Sequence, residues 1–409
     1  MRHVVIAGAG EAAVSAAFAL RENGFDGTID LFGAEPHHPY ERPPLSKFGI
    51  ASEAADARAI RTGEDFVAND IRFHPGRKVT AFDRDKKLAI VSDGNAVTSI
   101  GYDKALIATG AIARRLPVPG AEHCLYLRTL DEARALRRLL VPGARVAIVG
   151  AGLIGLEVAA SAATTGCQVA VFEASPRILS RAVHEDLAGA IHERHVSEGV
   201  RIFCGHSLTG ISLSGAVRTL RFADGFSHDA DVVLVGIGSQ PETDLAERSG
   251  LDISDGVVVD STLRTADPDI FAAGDCCRLP LPIYDGHRVR LESWRSAQQQ
   301  GRLAAENMLG GKANFEAVPW FWSDQYDLTL QVAGIHSLGS KTVAKDGVHG
   351  QLLFHLDPMN RLMAVSALGK GTALAKDVRL AEMLIGRRQS IEPELLSRPD
   401  VSLKKLLAA

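Results

Sequence analysis

Two stretches of this chain follow one plan. Residues 4–35 read VVIAGAGEAAVSAAFALRENGFDGTIDLFGAE, and residues 146–175 read VAIVGAGLIGLEVAASAATTGCQVAVFEAS. Each runs from an apolar strand through a glycine turn into a helix, then into a second apolar strand ending in an acidic residue. That order is the βαβ unit of a dinucleotide-binding fold. The first copy carries Gly8, Gly10 and Ala13, the second Gly150, Gly152 and Gly155. The first glycine makes the tight turn out of the strand, and the second lets backbone approach a pyrophosphate. The third position, glycine or a small alanine, lets the helix pack close to the strand. The helix N-terminus then faces the phosphates with free N–H groups and a partial positive charge. Leu153 and Ile154, which open the second helix, are expected in the same nucleotide site.

The acidic ends distinguish the cofactors. Glu173 stands about twenty residues beyond the glycine turn, where a carboxylate accepts hydrogen bonds from an adenosine ribose and repels a 2′-phosphate. NADH is therefore favoured over NADPH, although Arg177 lies close by. In the first copy Glu35 is the expected ribose partner. Two nucleotide folds in one chain suggest two dinucleotides that react with each other, and flavin with nicotinamide is the usual pair. FAD is assigned to the first fold, with the buried segment Leu106–Gly110 contributing Thr109 and Gly110. NADH is assigned to the second, with Leu234–Gly238 contributing Gly236 and Gly238. Trp294 and Trp322, two of only three tryptophans, are expected at the flavin, because an indole can cover a flavin face and bring an N–H donor.

Composition excludes other classes. The 409 residues exceed one core and suggest two or three domains; 46% hydrophobic and 23% charged residues are ordinary for a globular enzyme. A net charge of −4 points to neither nucleic acid nor an anionic membrane. No signal-peptide pattern opens the chain and no apolar run reaches membrane-spanning length, so a cytoplasmic location is expected. The five cysteines, at 124, 167, 204, 276 and 277, have no disulfide-framework spacing. His192 and His195 are spaced i, i+3 without an evident third ligand, and no metal site is expected.

The order of these motifs, closing with Thr265-x-x-Pro268-Asp269-Ile270-Phe271-Ala272-Ala273-Gly274-Asp275, resembles the pyridine-nucleotide-dependent flavoprotein reductases of the glutathione reductase fold. The resemblance implies that Asp275 binds the FAD ribityl chain and that a helix near Ser293–Gln300 points its N-terminus at the flavin. Disulfide reductases of that fold carry an early cysteine pair, and the related NADH oxidases and peroxidases keep one early cysteine. This chain has none before Cys124 and has Pro39-Tyr40-Glu41-Arg42-Pro43-Pro44-Leu45-Ser46-Lys47 there instead. That stretch, with Tyr126–Leu130, Leu291–Trp294 and Pro319–Gln325, is similar to the ferredoxin reductases that serve aromatic-ring dioxygenases and bacterial cytochromes P450. The likeness implies that Lys47 reaches the flavin N5 side and pairs with Glu157. It also implies FAD contacts from Arg42, Arg128 and Val79. Many members have an acidic residue where Ala34 stands, which leaves that ribose contact to Glu35.

The expected fold is α/β, with two Rossmann-like dinucleotide-binding domains and a C-terminal α+β domain. The FAD domain is expected at 1–113 and 240–314, the NADH domain at 114–239 and the C-terminal domain at 315–409. The segment Val79–Asp93 with Gly101–Thr109 reads as a β-meander attached to the FAD domain. The implied reaction is hydride transfer from NADH to FAD, then single-electron transfer to a [2Fe–2S] ferredoxin of the Rieske or plant/vertebrate type that feeds a terminal oxygenase. Alternatives are an NADH oxidase or diaphorase, an NADH-sensing signalling protein resembling apoptosis-inducing factor, and a flavin monooxygenase. A monomer and a weak homodimer are equally compatible with the sequence.

Overall fold

In both copies of the repeat the strand, turn and helix fall where the patterning places them. The computed structural model describes residues 1–47, 57–398 and 400–408; residues 48–56 of the expected FAD domain, and 399 and 409 of the C-terminal domain, lie outside them. By internal contacts the chain divides into two compact units.

The first unit comprises Met1–Glu41, Arg58–Ile112 and Gln240–Pro319. Its centre is a five-stranded parallel sheet in the order Ile270–Ala272, Lys104–Ile107, His3–Ala7, Thr28–Gly33, Ile71–Pro75. Val4, Val5 and Ile6 are fully buried, as expected of a strand covered on both faces. The helix Glu11–Glu22 packs along the helix Trp294–Met308. Gly301 makes that approach possible, since a Cβ there would lie 2.2 Å from the Ala12 carbonyl oxygen. Lys78–Asp83, Leu88–Ser92 and Val97–Gly101 form the antiparallel meander. The expected third strand near 101–109 is corrected: Lys104–Ile107 is apolar and buried and joins the parallel sheet, leaving the more polar Val97–Gly101 to close the meander.

Of the described residues, the second unit comprises 42–47, 57, 113–239, 320–398 and 400–408. It contains a second five-stranded parallel sheet, ordered Arg201–Cys204, Gln168–Glu173, Arg145–Val149, Val232–Val235, Leu125–Tyr126. A three-stranded antiparallel sheet, Leu208–Ser214, Val217–Phe222 and Ser227–Ala230, accompanies it. The same unit holds a five-stranded antiparallel sheet, ordered Trp320–Gln325, Leu328–Gly334, Leu362–Lys370, Gly350–Leu356, Lys341–Gly347, against which Ala375–Arg387 packs as a helix. No helix among the described residues is long and apolar enough to cross a membrane.

Candidate active site

In the first unit the glycine turn separates two demands. Gly8 has φ +122°, and a Cβ on it would lie 2.1 Å from the Ala108 carbonyl oxygen, so this glycine serves internal packing. Gly10 caps the helix Glu11–Glu22 in extended conformation without a side-chain hydrogen bond, and a Cβ there meets nothing within 4 Å among the described residues. That open space at a helix N-terminus suits a phosphate group. Ala13 is fully buried behind the turn. The Glu35 carboxylate accepts a hydrogen bond from the Tyr40 hydroxyl. Val79 is buried in the meander opposite Val91. The Thr109 hydroxyl donates to the Glu242 carbonyl at 2.7 Å, and Gly110 follows at φ +73°.

Gly274 and Asp275 follow the strand Ile270–Ala272. Gln300, fully buried on the helix that Trp294 opens, accepts the Gly274 N–H at 2.8 Å through Oε1, which also accepts the Cys277 thiol at 3.1 Å. Its Nε2 is buried and has no hydrogen-bond partner among the described residues. An unanswered buried amide donor costs about 1–3 kcal/mol. On a glutamine that holds the Gly274 N–H, one residue before Asp275, that free donor fits a site that receives a hydroxylated chain. Together with the space at Gly10, these residues fit FAD.

In the second unit the same geometry recurs. Gly150 has φ +103° and approaches the Gly236 carbonyl, where a Cβ would lie 2.5 Å from the oxygen. Gly152 caps the helix Leu153–Thr164 without a side-chain hydrogen bond, and the nearest atom to a Cβ on it is 3.9 Å away. Gly155 faces the Gly150 carbonyl so closely that a Cβ would sit 2.2 Å from it. Leu153 begins the helix, the Ile154 side chain is exposed, and Gly238 has φ +107°. The Glu173 carboxylate accepts the Ala151 and Ser175 N–H groups, each at 2.8 Å, which fixes it against the turn. Arg177 spends its guanidinium on the carbonyls of Ile178, Ser180 and Val183. It staples its own loop and is not extended toward a 2′-phosphate. These residues fit NADH.

A third cluster lies in the same unit. The 3-10 helix Pro43–Ser46 ends at Lys47. Lys47 Nζ lies 3.7 Å from Glu157 Oε1 and 2.8 Å from Asp324 Oδ2, so the expected pair forms but is the longer of two. The ammonium also sits over the Trp322 ring, 4.9 Å from its centroid. Glu157 is buried, and its two oxygens accept the Ser46 and Ser323 hydroxyls. Burial pushes its carboxyl above the usual range, against the Lys47 charge and the two hydroxyls. Burial pushes the Asp324 carboxyl up, but the Lys47 ammonium and the Thr329 and Trp322 donors together hold it below its ordinary value. Arg42 donates to the Arg128 carbonyl, and the Arg128 N–H donates to Glu132 at 2.8 Å beside a Thr129–Glu132 capping box.

Residues 2–301 match the family described as pyridine nucleotide-disulphide oxidoreductase. The chain belongs to that family. Residues 320–407 match a reductase C-terminal domain, and the α/β architecture agrees with both. The oxidoreductase is 38% identical over 408 residues to the ferredoxin–NAD(+) reductase component of the anthranilate 1,2-dioxygenase system of Burkholderia cepacia, covering 98% of each chain. It is 36% identical to putidaredoxin reductase of Pseudomonas putida, covering 100% of this chain and 97% of that one. Among solved structures, the reductase of a covalent putidaredoxin reductase–putidaredoxin complex superposes with a TM-score of 0.92 at 33% identity, covering 100% of this chain and 98% of that one. The ferredoxin reductase for the CYP199A2 system of Rhodopseudomonas palustris gives 0.93 at 33% identity, covering 99% and 100%.

For an oxidoreductase of a family named for disulphide chemistry, the adjacent cysteines 276 and 277 stand in an unsuitable place. Cys276 and Cys277 are fully buried, and burial pushes both thiols up. A buried protonated thiol is a poor nucleophile. His195 is buried as well and is engaged by Gln325 and Tyr326, as a core histidine. Four residues of the clusters escaped the sequence reading: Ser46, Asp324, Ser323 and Gln300. Asp324 and Ser323 lie inside a motif read for its tryptophans, and alternation along a strand would have put Asp324 on the Trp322 side. Nothing local marked Gln300.

Proposed function

We propose that this oxidoreductase is an FAD-containing NADH:ferredoxin reductase. Bound FAD would supply the chemistry that links hydride donation by NADH to single-electron release. Gly10, Glu35, Val79, Thr109, Gly110, Asp275 and Trp294 would hold the FAD, with Arg42, Arg128 and Trp322, on a turn that Gly8 shapes and Ala13 backs. Gly150, Gly152, Leu153, Ile154, Gly155, Gly236 and Gly238 hold NADH, and Glu173 selects it by offering a fixed carboxylate where a 2′-phosphate would bring charge. Lys47 supplies a positive charge at the reacting end, and Glu157 and Asp324 keep it in place. The domains are 1–113 with 240–314 for FAD, 114–239 for NADH, and 315–409 as the α+β cap.

The observation that carries the reading is the repeated glycine-capped turn, with open space at Gly10 and Gly152, in a chain that resembles ferredoxin–NAD(+) reductase components along its whole length. Those relatives support a ferredoxin as acceptor; we take it to be a [2Fe–2S] protein of the Rieske or the plant/vertebrate type, which passes electrons to a terminal oxygenase. Such contacts are small and transient. The enzyme works in the cytoplasm as a monomer or weak homodimer.

The acceptor is tested by steady-state NADH oxidation with oxidised [2Fe–2S] ferredoxin against dioxygen alone. Ferredoxin should raise turnover by on the order of tenfold or more and saturate. Equal turnover with dioxygen alone would favour the oxidase.

A further inference from the structure

We propose that Asp324 is a positioning residue that sets Lys47 and Trp322 as one unit. Its consequence for electron transfer rests on the flavin reductase reading. The geometry is convergent. Asp324 Oδ2 accepts both the Lys47 ammonium, at 2.8 Å, and the Trp322 indole N–H, at 2.9 Å. Oδ1 accepts the Thr329 hydroxyl at 2.8 Å. Three donors therefore fix the plane of one carboxylate.

Sheet register explains why these partners meet. Trp322 and Asp324 are two apart on the strand Trp320–Gln325, so their side chains leave the same face, and Thr329 stands directly opposite Asp324 on the next strand. Lys47 closes the set from above, with its ammonium over the indole whose N–H shares its counter-ion.

Glu157 stands differently. Each of its oxygens already accepts a serine hydroxyl, from Ser46 and from Ser323, and the lysine is 3.7 Å away. Removing the Glu157 charge leaves the lysine, indole and Asp324 contacts in place. Removing Asp324 takes the near counter-charge from Lys47 and the acceptor from Trp322 together. The two carboxylates are therefore unequal, and the asymmetry is measurable.

The test uses the purified protein unaltered and as Asp324→Ala, Asp324→Asn, Asp324→Glu, Glu157→Gln, Lys47→Ala and the Lys47→Ala/Asp324→Asn double variant. The three indole N–H signals are followed by 15N NMR, with Trp322 assigned through Trp322→Phe, and acylation of Lys47 is timed by mass spectrometry. Asp324→Ala should shift the Trp322 indole signal, speed its exchange with water, and make Lys47 severalfold faster to acylate. Glu157→Gln should leave the indole signal unmoved. In stopped-flow reduction by NADH, Asp324→Asn should slow the flavin step on the order of tenfold with little change in NADH affinity. Asp324→Glu should recover part of that loss, and adding Lys47→Ala to Asp324→Asn should cost little more, because the residues act as one unit.

An unmoved indole signal and unchanged Lys47 acylation in Asp324→Ala would overturn the assignment, as would losses from Lys47→Ala and Asp324→Asn that multiply. A protein that binds no flavin would remove the reductase reading, while the indole and acylation measurements would still decide the role of Asp324.

Discussion

Glu173 holds two backbone N–H groups of the nucleotide turn and its neighbouring loop with one carboxylate. Glu173→Ala should lose a charged hydrogen bond to the ribose and the repulsion of a 2′-phosphate. The NADH KM should rise by about 5–30-fold, equivalent to about 1–2 kcal/mol, and the preference for NADH over NADPH should narrow. Kinetics unchanged with both nucleotides would remove Glu173 from the site. The two glycines of the first turn should behave oppositely. Gly10→Val fills open space, so flavin content should fall while the far-ultraviolet circular dichroism stays the same. Gly8→Ala pushes a Cβ into the Ala108 carbonyl at a positive φ, so it should lower the thermal midpoint itself, costing about 1–3 kcal/mol. If Gly8→Ala melted like the unaltered protein and Gly10→Val kept its flavin, this division of roles would be wrong. Arg177 shows what spacing alone could not tell. Its position suited a phosphate ligand, but three carbonyls of its own loop take its donors.

At the level of elements, the antiparallel sheet carries a buried histidine with a consequence for pH. His355, on the strand Gly350–Leu356, contacts the hydroxyls of Ser366 at 3.0 Å and Thr342 at 3.2 Å, and its ring faces those of His336 and His184. Burial, aided by the nearby His336 and His184, lowers its pKa to about 4. Between the unfolded value of about 6.5 and that folded value, the unfolded chain binds a proton that the native chain refuses. The stability that His355 contributes is therefore complete above about pH 6.5 and is lost as pH falls toward 4, by up to about 3 kcal/mol. Thermal midpoints measured across that window should drop, and His355→Gln should flatten part of the slope; an equal slope in both proteins would exclude His355 as the source. The pairing of the helices Glu11–Glu22 and Trp294–Met308 makes a second claim. Gly301→Ala should separate them and lower the denaturant midpoint, at a cost of about 1–3 kcal/mol.

Across the whole molecule, legibility followed locality. The two βαβ units could be read because their signals, apolar strand, glycine turn and acidic end, lie within about thirty residues each. In the C-terminal domain Leu328–Gly334, Gly350–Leu356 and Leu362–Lys370 carry apolar runs that a sequence can show, whereas Lys341–Gly347 does not, because it is a largely exposed edge strand without an apolar face. The strand Lys104–Ile107 was misplaced in the meander since its pairing with His3–Ala7 joins residues far apart in sequence. The same reason hid Asp324, whose lysine partner lies 277 residues away, and Gln300, whose partners come from another element. The central claim is that these two nucleotide sites serve one redox path, and it is tested most directly by anaerobic titration of the purified protein with NADH, followed by mixing with oxidised [2Fe–2S] ferredoxin while absorbance is recorded. The account predicts a flavin band that NADH bleaches far more readily than NADPH and that returns rapidly as the ferredoxin is reduced. A colourless protein, or a persistent long-wavelength band that ferredoxin discharges only slowly, would contradict it.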